Sequence, residues 1–289
     1  LVRLKPDIML ILGDRFEMLS AAAAAMALGI PIAHIHGGEA TEGAIDEAIR
    51  HAITKMAHLH FVAAKPFARR VIQMGEDPAC VHNVGAPALD LIDGFEAKPV
   101  GELGSELGIA LSGQTFLVTY HPVTITSGDG GDDGIGELLA ALQSFPDAGI
   151  IFTGVNADPG NDDVLRPITD FVAANARRAV LHQSLGQHRY LSAMSHADLV
   201  LGNSSSGIIE APAMKTATVN IGDRQKGRPR AASIIDCVEK SSDIVAAINA
   251  ALAGSFQRAL LETISPYSRA GDESAAKQIV TVLKSASLD

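Results

Sequence analysis

One stretch of the chain, residues 34–55, concentrates carboxylates, imidazoles and an arginine. Its first part, HIHGGE, follows an apolar run, and its later part, IDEAIRHAITK, has the spacing of a helix. Asp46 and Arg50 are separated by four residues and therefore share one helix face. On an isolated helix they would form a solvated ion pair, but here Glu39 stands a few residues earlier, at a predicted strand end. Carboxylates crowded into a cleft acquire separated pKa values, as acid–base catalysis requires.

Other polar residues also follow predicted strands. Asp14, His121 and Asn156 each come directly or closely after an apolar run, and an NSSSG turn at 203–207 follows DLVLG. In open α/β sheets, ligands bind at the carboxyl ends of the strands. We therefore expect these residues to converge on one site in a cleft between two domains. His121, kept out of a helix by Pro122, is predicted to be a general acid, a phosphate donor or a structural capping residue.

The NSSSG turn has the composition of an anion site. Backbone N–H groups and the hydroxyls of Ser204, Ser205 and Ser206 can point at a phosphate where a helix begins near Gly207. Glu210, in the first turns of that helix, could accept both hydroxyls of a ribose. The alternative is serine N-capping beside a surface glutamate, and the chain contains neither a Walker nor a GxGxxG motif.

The HIHGGE sequence also allows a metal site. His34 and His36 would share one face of a strand, and Glu39 is a candidate to complete a ligand set, but no third strong ligand is fixed by spacing. His34 could equally be a packed, hydrogen-bonded histidine. Gly37 and Gly38 suggest the close approach of a ligand or of another chain segment.

Apolar runs alternate with helical patterns along the chain, which predicts parallel sheets with helices on both faces. Strands are predicted at residues 8–12, 31–35, 60–63, 81–84, 116–120, 149–153, 179–181, 199–201 and 218–221. Helices are predicted at 15–27, 44–56, 65–74, 85–93, 135–145, 165–174, 186–195, 206–214, 242–253 and 270–284. Residues 94–113 carry proline, glycine and charges of both signs, and we call them the soft segment. We place a domain boundary in this segment and a loop at 127–136.

The bulk composition narrows the class of protein. A length of 289 residues suggests two domains, and a formal net charge of −10 argues against nucleic acid or an anionic membrane as partner. Two cysteines, Cys80 and Cys237, are too few for a disulfide framework or a cysteine zinc site and suit a cytoplasmic location. The longest uncharged stretch, 18–35, is interrupted by glycine and proline and predicts no membrane span.

Five segments together resemble a known family: LGDRFEM (12–18), HIHGGEATEGAIDEAIRHAITKMAHLHFVA (34–63), VGAPALD (84–90), TYHPVT (119–124) and NSSSGIIEAP (203–212). They resemble the hydrolysing UDP-N-acetylglucosamine 2-epimerases, which make N-acetylmannosamine for sialic-acid-type sugars. The resemblance covers nearly the whole chain, and the HGGE block distinguishes this branch from its non-hydrolysing relatives.

The resemblance implies a GT-B-like α/β fold, with two Rossmann-like parallel-sheet domains facing a cleft. It places a partial first domain at 1–96 with a crossing helix at 270–284, and a UDP-binding domain at 97–269. It implies a cytoplasmic homo-oligomer, a dimer or tetramer, that binds a UDP-sugar and needs no cofactor, metal or nicotinamide.

The resemblance also implies a reaction and its residues. UDP is eliminated across C1 and C2 to give a 2-acetamidoglucal, and water then adds with inversion at C2. The carboxylates Asp14, Glu39 and Asp46, together with His121, match the family's catalytic residues, although which carboxylate removes the C2 proton stays open. Residues assigned to substrate binding are His36, Arg50, Asn156, Ser204, Ser205, Ser206, Gly207 and Glu210. The segment 182–190 is expected to line the uracil pocket.

One departure from the family is the lack of a Gly-Thr-Arg-Ala-Glu-type phosphate loop. It leads us to expect weak or no activity from this chain alone. Three alternatives stay open: an epimerase acting on a UDP-2,4-diacetamido-6-deoxy sugar, a non-catalytic UDP-sugar-binding remnant, and a GT-B glycosyltransferase, which would need an acceptor.

Overall fold

A computed structural model describes residues 1–40, 46–122, 134–154, 161–268 and 271–286. The chain divides into two compact units. The first unit comprises Leu1–Asp93, Gly227–Pro229 and Pro266–Asp289, and the second comprises Gly94–Lys226 and Arg230–Ser265.

Short strands and helices alternate along both units. The strands are β1 (Met9–Leu12), β2 (Ile32–Ile35), β3 (Leu59–Val62), β4 (Val81–Asn83), β5 (Thr115–Thr119), β6 (Gly149–Thr153), β7 (Ala179–His182), β8 (Leu199–Gly202), β9 (Ala217–Ile221) and β10 (Ile234–Cys237). The α-helices are α1 (Phe16–Ala27), α2 (Asp46–Met56), α3 (Lys65–Gln73), α4 (Val100–Leu107), α5 (Gly134–Leu142), α6 (Asn161–Ala174), α7 (Gly186–His196), α8 (Ser206–Ala213), α9 (Ser241–Leu252), α10 (Gly254–Ala259) and α11 (Ala275–Ser285). Short 3-10 helices occur at Pro78–Cys80, Pro87–Leu91 and Leu260–Glu262.

The first unit is built on a four-stranded parallel sheet in the order β1-β2-β3-β4. Ile11 and Ile32 pack with Ala22 and Ala25 of α1 and with Ile53 of α2 in one buried cluster. Because the alanines of α1 are small, its backbone lies close to α2 and to the sheet. A second cluster joins α11 to β2 and β3, so the last helix of the chain belongs to the core of this unit.

The second unit is built on a six-stranded parallel sheet in the order β10-β9-β8-β5-β6-β7. The chain first builds outward from β5 to β7 and then restarts on the other side of β5 with β8, β9 and β10. This is the strand order of a Rossmann fold, and its switch point lies between β5 and β8. The fully buried side chains of Phe116, Phe152 and Leu199 lie in the largest core cluster of the unit.

Every predicted strand is present within one or two residues, and most predicted helices are present. The exception is the helix predicted at 85–93, which is wrong. Gly85 has φ +82°, which is incompatible with a right-handed helix, and Pro87 opens a short 3-10 helix instead. The carboxylate of Asp90 accepts hydrogen bonds from the backbone N–H groups of Ala275 and Ala276, both at 2.8 Å. The segment therefore caps α11 instead of forming an α-helix of its own.

The sequence analysis missed β10, α4 and α10. The soft segment 94–113 contains α4, in which Gly101 and Gly104 lower the helix propensity. Gly104 is required there, because an added Cβ would lie 2.7 Å from the carbonyl oxygen of Ile109. The predicted start of the last helix, residue 270, lies outside the described residues; α11 begins after Ser274, whose hydroxyl accepts a hydrogen bond from the N–H of Lys277.

Among the described residues, no single helix is long and apolar enough to cross a membrane, and only the pair Ser241–Leu252 and Gly254–Glu262, bent by 56°, meets the length and composition criteria jointly.

Candidate active site

The end of β1 carries an ion pair between Asp14 and Arg50. Gly13 turns the chain there with φ +82°, and α2 supplies Arg50, whose side chain is only 3% exposed. Burial, followed by repulsion from Arg228 and Arg70, lowers the pKa of Arg50 to about 9. The guanidinium therefore stays charged at neutral pH and holds the Asp14 carboxylate where the strand ends.

The end of β2 carries a second charged cluster around Glu39. The carboxylate of Glu39 is buried. One of its oxygens lies 2.5 Å from Nδ1 of His36, and the other lies 3.0 Å from a guanidinium nitrogen of Arg228. Burial alone would raise the pKa of Glu39, but Arg228 and His36 outweigh it, so its pKa lies below the ordinary value. Glu39 is therefore an ionised carboxylate at neutral pH.

The backbone between these charges is tightly held. His36 has φ +66°, a left-handed conformation that is uncommon for a residue other than glycine. Arg70 donates a hydrogen bond to the carbonyl oxygen of Gly38, and Arg228 donates one to that of Ala40 at 3.1 Å. Gly38 approaches α3 so closely that a Cβ there would lie 2.6 Å from the carbonyl oxygen of Phe67. Gly38 thus accommodates another chain segment, one of the two options left open by the sequence.

His34 is a packed, hydrogen-bonded histidine in the interior of the first unit. It is fully buried, with Nε2 at 2.8 Å from the carbonyl oxygen of Gly13 and Nδ1 at 3.2 Å from the hydroxyl of Thr54. Burial lowers the pKa of His34 to about 4, so the ring is neutral at pH 7. Both ring nitrogens are engaged, and His36 leaves the strand geometry that an HxH chelate needs. No group of three or more potential metal ligands is found within the described part of the chain.

Asp46 is the first residue of α2 and lies one helical turn before Arg50. A carboxylate at this position interacts favourably with the helix dipole. One residue later, Glu47 lies 3.7 Å from the ring of His51, on the neighbouring face of the helix. The amino end of α2 is therefore acidic, and its buried side carries the arginine that pairs with Asp14.

In the second unit, His121 lies at the switch point of the sheet, two residues after the end of β5. It is buried, and its backbone is fixed by Asn203, which follows β8. The side chain of Asn203 accepts a hydrogen bond from the His121 N–H at 2.7 Å and donates one to the His121 carbonyl at 2.8 Å. Gln225 and Arg224 in turn donate hydrogen bonds to the carbonyl oxygen of Asn203. These bonds fix the ends of the two strands at the switch point together.

The serine turn after β8 forms a network of hydroxyl groups. Ser206 contacts the hydroxyl of Tyr190 at 2.5 Å and donates to the hydroxyl of Ser204 at 3.1 Å. Ser205 is the residue before α8, and Glu210 lies in the second turn of that helix. Burial raises the pKa of Tyr190, so it is a neutral phenol that can donate or accept.

Gly207 has a packing role. A Cβ at this position would lie 2.8 Å from Cγ2 of Thr218, whose hydroxyl donates to the Gly207 carbonyl at 2.9 Å. The missing side chain lets the first turn of α8 lie directly on β9. The amino end of α8 is therefore fixed against the sheet next to the serine turn.

The structure brings the predicted residues together within each unit. Asp14, Arg50, His36 and Glu39 share the carboxyl ends of β1 and β2, and His121 and the serine turn share the switch point of the second unit. Asn156 lies outside the described residues. The sequence analysis missed the contacts of Arg228 and Arg70, and Tyr190 was noted only as part of the segment 182–190. No local pattern identified the two arginines, because their partners are distant in sequence.

Comparison with known proteins gives consistent matches. The profile described as UDP-N-acetylglucosamine 2-epimerase matches residues 1–284. A GDP/UDP-N,N'-diacetylbacillosamine 2-epimerase (hydrolyzing) from Campylobacter jejuni is 42% identical over 81% of this chain, and polysialic acid biosynthesis protein P7 from Escherichia coli is 38% identical over 96%. The matches cover 60% and 70% of those relatives' lengths.

Solved structures give the same fold. The UDP-GlcNAc 2-epimerase from Neisseria meningitidis bound to UDP-GlcNAc aligns with a TM-score of 0.81 at 18% identity, covering 99% of this chain and 78% of that one. The Methanocaldococcus jannaschii UDP-GlcNAc 2-epimerase in complex with UDP-GlcNAc and UDP aligns with a TM-score of 0.78 at 17% identity, covering 99% and 77%. The fold class is therefore GT-B-like, built from two parallel α/β units.

Proposed function

This chain belongs to the UDP-N-acetylglucosamine 2-epimerase family, and from that premise we propose that it hydrolyses and epimerises UDP-N-acetylglucosamine to N-acetylmannosamine and UDP. The observation that carries the proposal is the charged cluster at the ends of β1 and β2. There Asp14 and Glu39 are held as carboxylates by Arg50 and Arg228. A reaction that removes and returns a proton needs fixed acid–base groups of this kind.

The chemistry has two stages. In the first, the C2–H electron pair becomes the C1=C2 double bond while the C1–O bond breaks, and UDP leaves with the bonding pair. In the second, water adds to the 2-acetamidoglucal, with oxygen on C1 and a proton on the opposite face of C2. The sum is UDP-sugar plus water giving N-acetylmannosamine plus UDP.

We assign the acid–base steps to Asp14, Glu39, Asp46 and His121. The C2 proton is a poor acid, so a base must act together with stabilisation of the departing diphosphate. The position of Asp46 at the amino end of α2 favours its ionised form. His121 is held at the switch point of the second unit, a position suited to contact with a phosphate.

We assign UDP binding to the turn after β8. Ser204, Ser205 and Ser206 offer hydroxyls at the amino end of α8, where backbone N–H groups and the helix dipole favour an anion. Gly207 fixes that helix end against the sheet, and we assign to Glu210 the hydrogen bonds donated by the two ribose hydroxyls. Arg50 and Asn156 complete the proposed nucleotide contacts, and His36 belongs to the part of the substrate-binding set that faces the sugar.

A second candidate substrate is a UDP-2,4-diacetamido-6-deoxy sugar. It is favoured by the 42% and 36% identities to relatives from Campylobacter jejuni and Legionella pneumophila that are named as diacetylbacillosamine 2-epimerases. The two sugars differ at C4 and C6, away from the reacting carbons. The same acid–base groups would therefore serve both.

The test is product analysis with each sugar nucleotide separately and in competition. Purified protein is incubated with UDP-N-acetylglucosamine, with UDP-N,N'-diacetylbacillosamine and with both, and free UDP and free sugar are quantified. We expect slow turnover that releases equal amounts of UDP and of the free 2-epimerised sugar. Product that keeps its UDP would contradict the hydrolysing reaction, and a higher kcat/KM for the diacetamido sugar would select the second candidate. UDP binding without any product would indicate a non-catalytic binding protein.

A further inference from the structure

We propose that His36 is the base that removes the C2 proton and that Glu39 is a positioning residue that acts through His36. This inference rests on the proposed function and deepens it, because it assigns the step that the sequence left open among the carboxylates. It starts from the contact between Nδ1 of His36 and the carboxylate of Glu39 at 2.5 Å.

The charge state of Glu39 determines which nitrogen of His36 is available. Glu39 is 3% exposed at its side chain and is ionised beside Arg228. An ionised carboxylate only accepts hydrogen bonds, so Nδ1 of His36 carries the proton and donates it. In the neutral ring, Nε2 then holds a lone pair. The His36 side chain is 19% exposed, and among the described residues no hydrogen bond occupies Nε2.

The neighbouring carboxylates are weaker candidates for this step. Asp14 is paired with the guanidinium of Arg50, and Glu39 is paired with both Arg228 and His36. An arginine within contact distance stabilises the carboxylate and lowers its basicity. Within the described part of the chain, no arginine or lysine is in direct contact with Nε2 of His36. A histidine backed by a carboxylate is also a recurring general-base arrangement, because the carboxylate fixes the tautomer and stabilises the imidazolium.

The backbone supports the same assignment. His36 has φ +66°, and such a conformation in a residue with a side chain persists only when its surroundings enforce it. The His36 N–H donates to the carbonyl oxygen of Phe61 at 2.9 Å, and the following residues are held by Arg70 and Arg228. These contacts direct the ring out of the strand and onto Glu39. The left-handed conformation of His36 thus forms part of the arrangement that holds the ring against Glu39.

The proposed step balances within the overall reaction. The Nε2 lone pair takes the proton from C2, the C2–H electrons form the C1=C2 bond, and the C1–O pair leaves with UDP. His36 becomes an imidazolium whose charge is countered by Glu39. The imidazolium then loses its proton to solvent before the next turnover.

The test uses His36→Gly in the whole protein. Glycine accepts positive φ without strain and leaves space where an added imidazole can bind. We expect kcat to fall by about 100- to 10,000-fold, UDP affinity to stay within about 2-fold, and millimolar imidazole to restore part of kcat. The control is His82→Ala, because His82 of β4 stacks on Phe61 of β3. Turnover by this variant should not respond to imidazole.

A second experiment tests the role of Glu39. Glu39→Gln keeps the shape but removes the charge that fixes the His36 tautomer, and we expect kcat to fall about 10- to 100-fold with KM nearly unchanged. In the His36→Gly background the same change should cost less than about 3-fold, because residues that act through one another are not additive.

The outcomes separate this inference from the proposed function. If the unaltered protein releases no free 2-epimerised sugar, the proposed function fails. If it turns over but His36→Gly keeps its activity, or loses it while imidazole restores nothing in a protein with unchanged melting and UDP affinity, then His36 is not the base. Should His36→Gly not fold, His36→Asn, which also tolerates positive φ, must lose turnover for the inference to stand.

Discussion

At the scale of single residues, the stability of the candidate site depends on how its buried charges are paired. Asp14 and Glu39 sit at the ends of neighbouring strands, and each contacts an arginine that is almost fully buried. A buried charge that loses its partner is costly, because the remaining ion is neither hydrated nor compensated. The arginines should therefore matter for stability as well as for catalysis.

Replacing Arg50 with methionine tests this pairing. The change leaves the Asp14 carboxylate beside an apolar side chain, and we expect the free energy of unfolding to fall by about 2–4 kcal/mol. Urea titration followed by circular dichroism measures the loss. In the double variant Asp14→Asn/Arg50→Met, part of the stability should return, because the carboxylate that lost its arginine is removed as well.

The matched control is Arg15→Met, which changes the residue next to Asp14 in the sequence. Arg15 pairs with Glu17 at 3.3 Å, but both side chains are more than 40% exposed. An exposed pair of this kind contributes less than about 1 kcal/mol. Equal losses for Arg50→Met and Arg15→Met would mean that burial of the Asp14–Arg50 pair does not matter.

His34 predicts how stability depends on pH. Burial lowers its pKa in the folded protein from 6.5 to about 4, so the unfolded chain binds a proton more readily between these values. The contribution of His34 is complete above pH 6.5 and is lost as the pH falls towards 4, by about 3 kcal/mol in all. Unfolding measured at pH 7, 5.5 and 4.5 should show a shallower decline for His34→Asn than for the unaltered protein. Parallel declines would contradict the assignment.

At the scale of elements, the site depends on backbone segments that lie unusually close together. The Gly38 position packs directly on α3, with the carbonyl oxygen of Phe67 and Cγ2 of Val71 both less than 3 Å from an added Cβ. This approach sets where Glu39 and His36 lie relative to the sheet. Helix α3 therefore acts as the support of the cluster, although it contributes no carboxylate.

Gly38→Ala should consequently be severe. The methyl group would collide with the backbone of α3 at a residue with φ +74°, and we expect a loss of about 2–4 kcal/mol together with reduced turnover. The comparison is Gly29→Ala, where φ is +68° but no described atom lies within 4 Å of the added Cβ. That variant should lose only about 1 kcal/mol. Thermal melts that shift equally for both would rule out the collision with α3.

The elements also explain what the sequence could and could not reveal. Parallel strands buried on both faces are continuous apolar runs, so their positions could be predicted, and with them the polar residues at their ends. By contrast, the glycines of α4 conceal its helical pattern, and Pro87 and Gly85 convert a predicted helix into a 3-10 turn. The contact between Arg228 and Glu39 joins distant parts of the chain, and no local spacing encodes such a contact.

At the scale of the whole molecule, the two units carry different kinds of chemistry. The first unit provides carboxylates compensated by arginines at the ends of β1 and β2, and the second provides a serine turn and a histidine at its switch point. The formal net charge of −10 does not favour anions in general. The proposed binding of a UDP-sugar therefore relies on these local donors rather than on the overall field of the protein.

The central claim is that the chain removes the C2 proton of a UDP-sugar and releases the sugar after inversion. The most direct test is incubation with UDP-N-acetylglucosamine in heavy water, followed by proton NMR of the products. We predict free N-acetylmannosamine that carries deuterium at C2, formed together with an equal amount of UDP. Free N-acetylmannosamine that keeps its original hydrogen at C2, or a 2-epimer still attached to UDP, would contradict the claim.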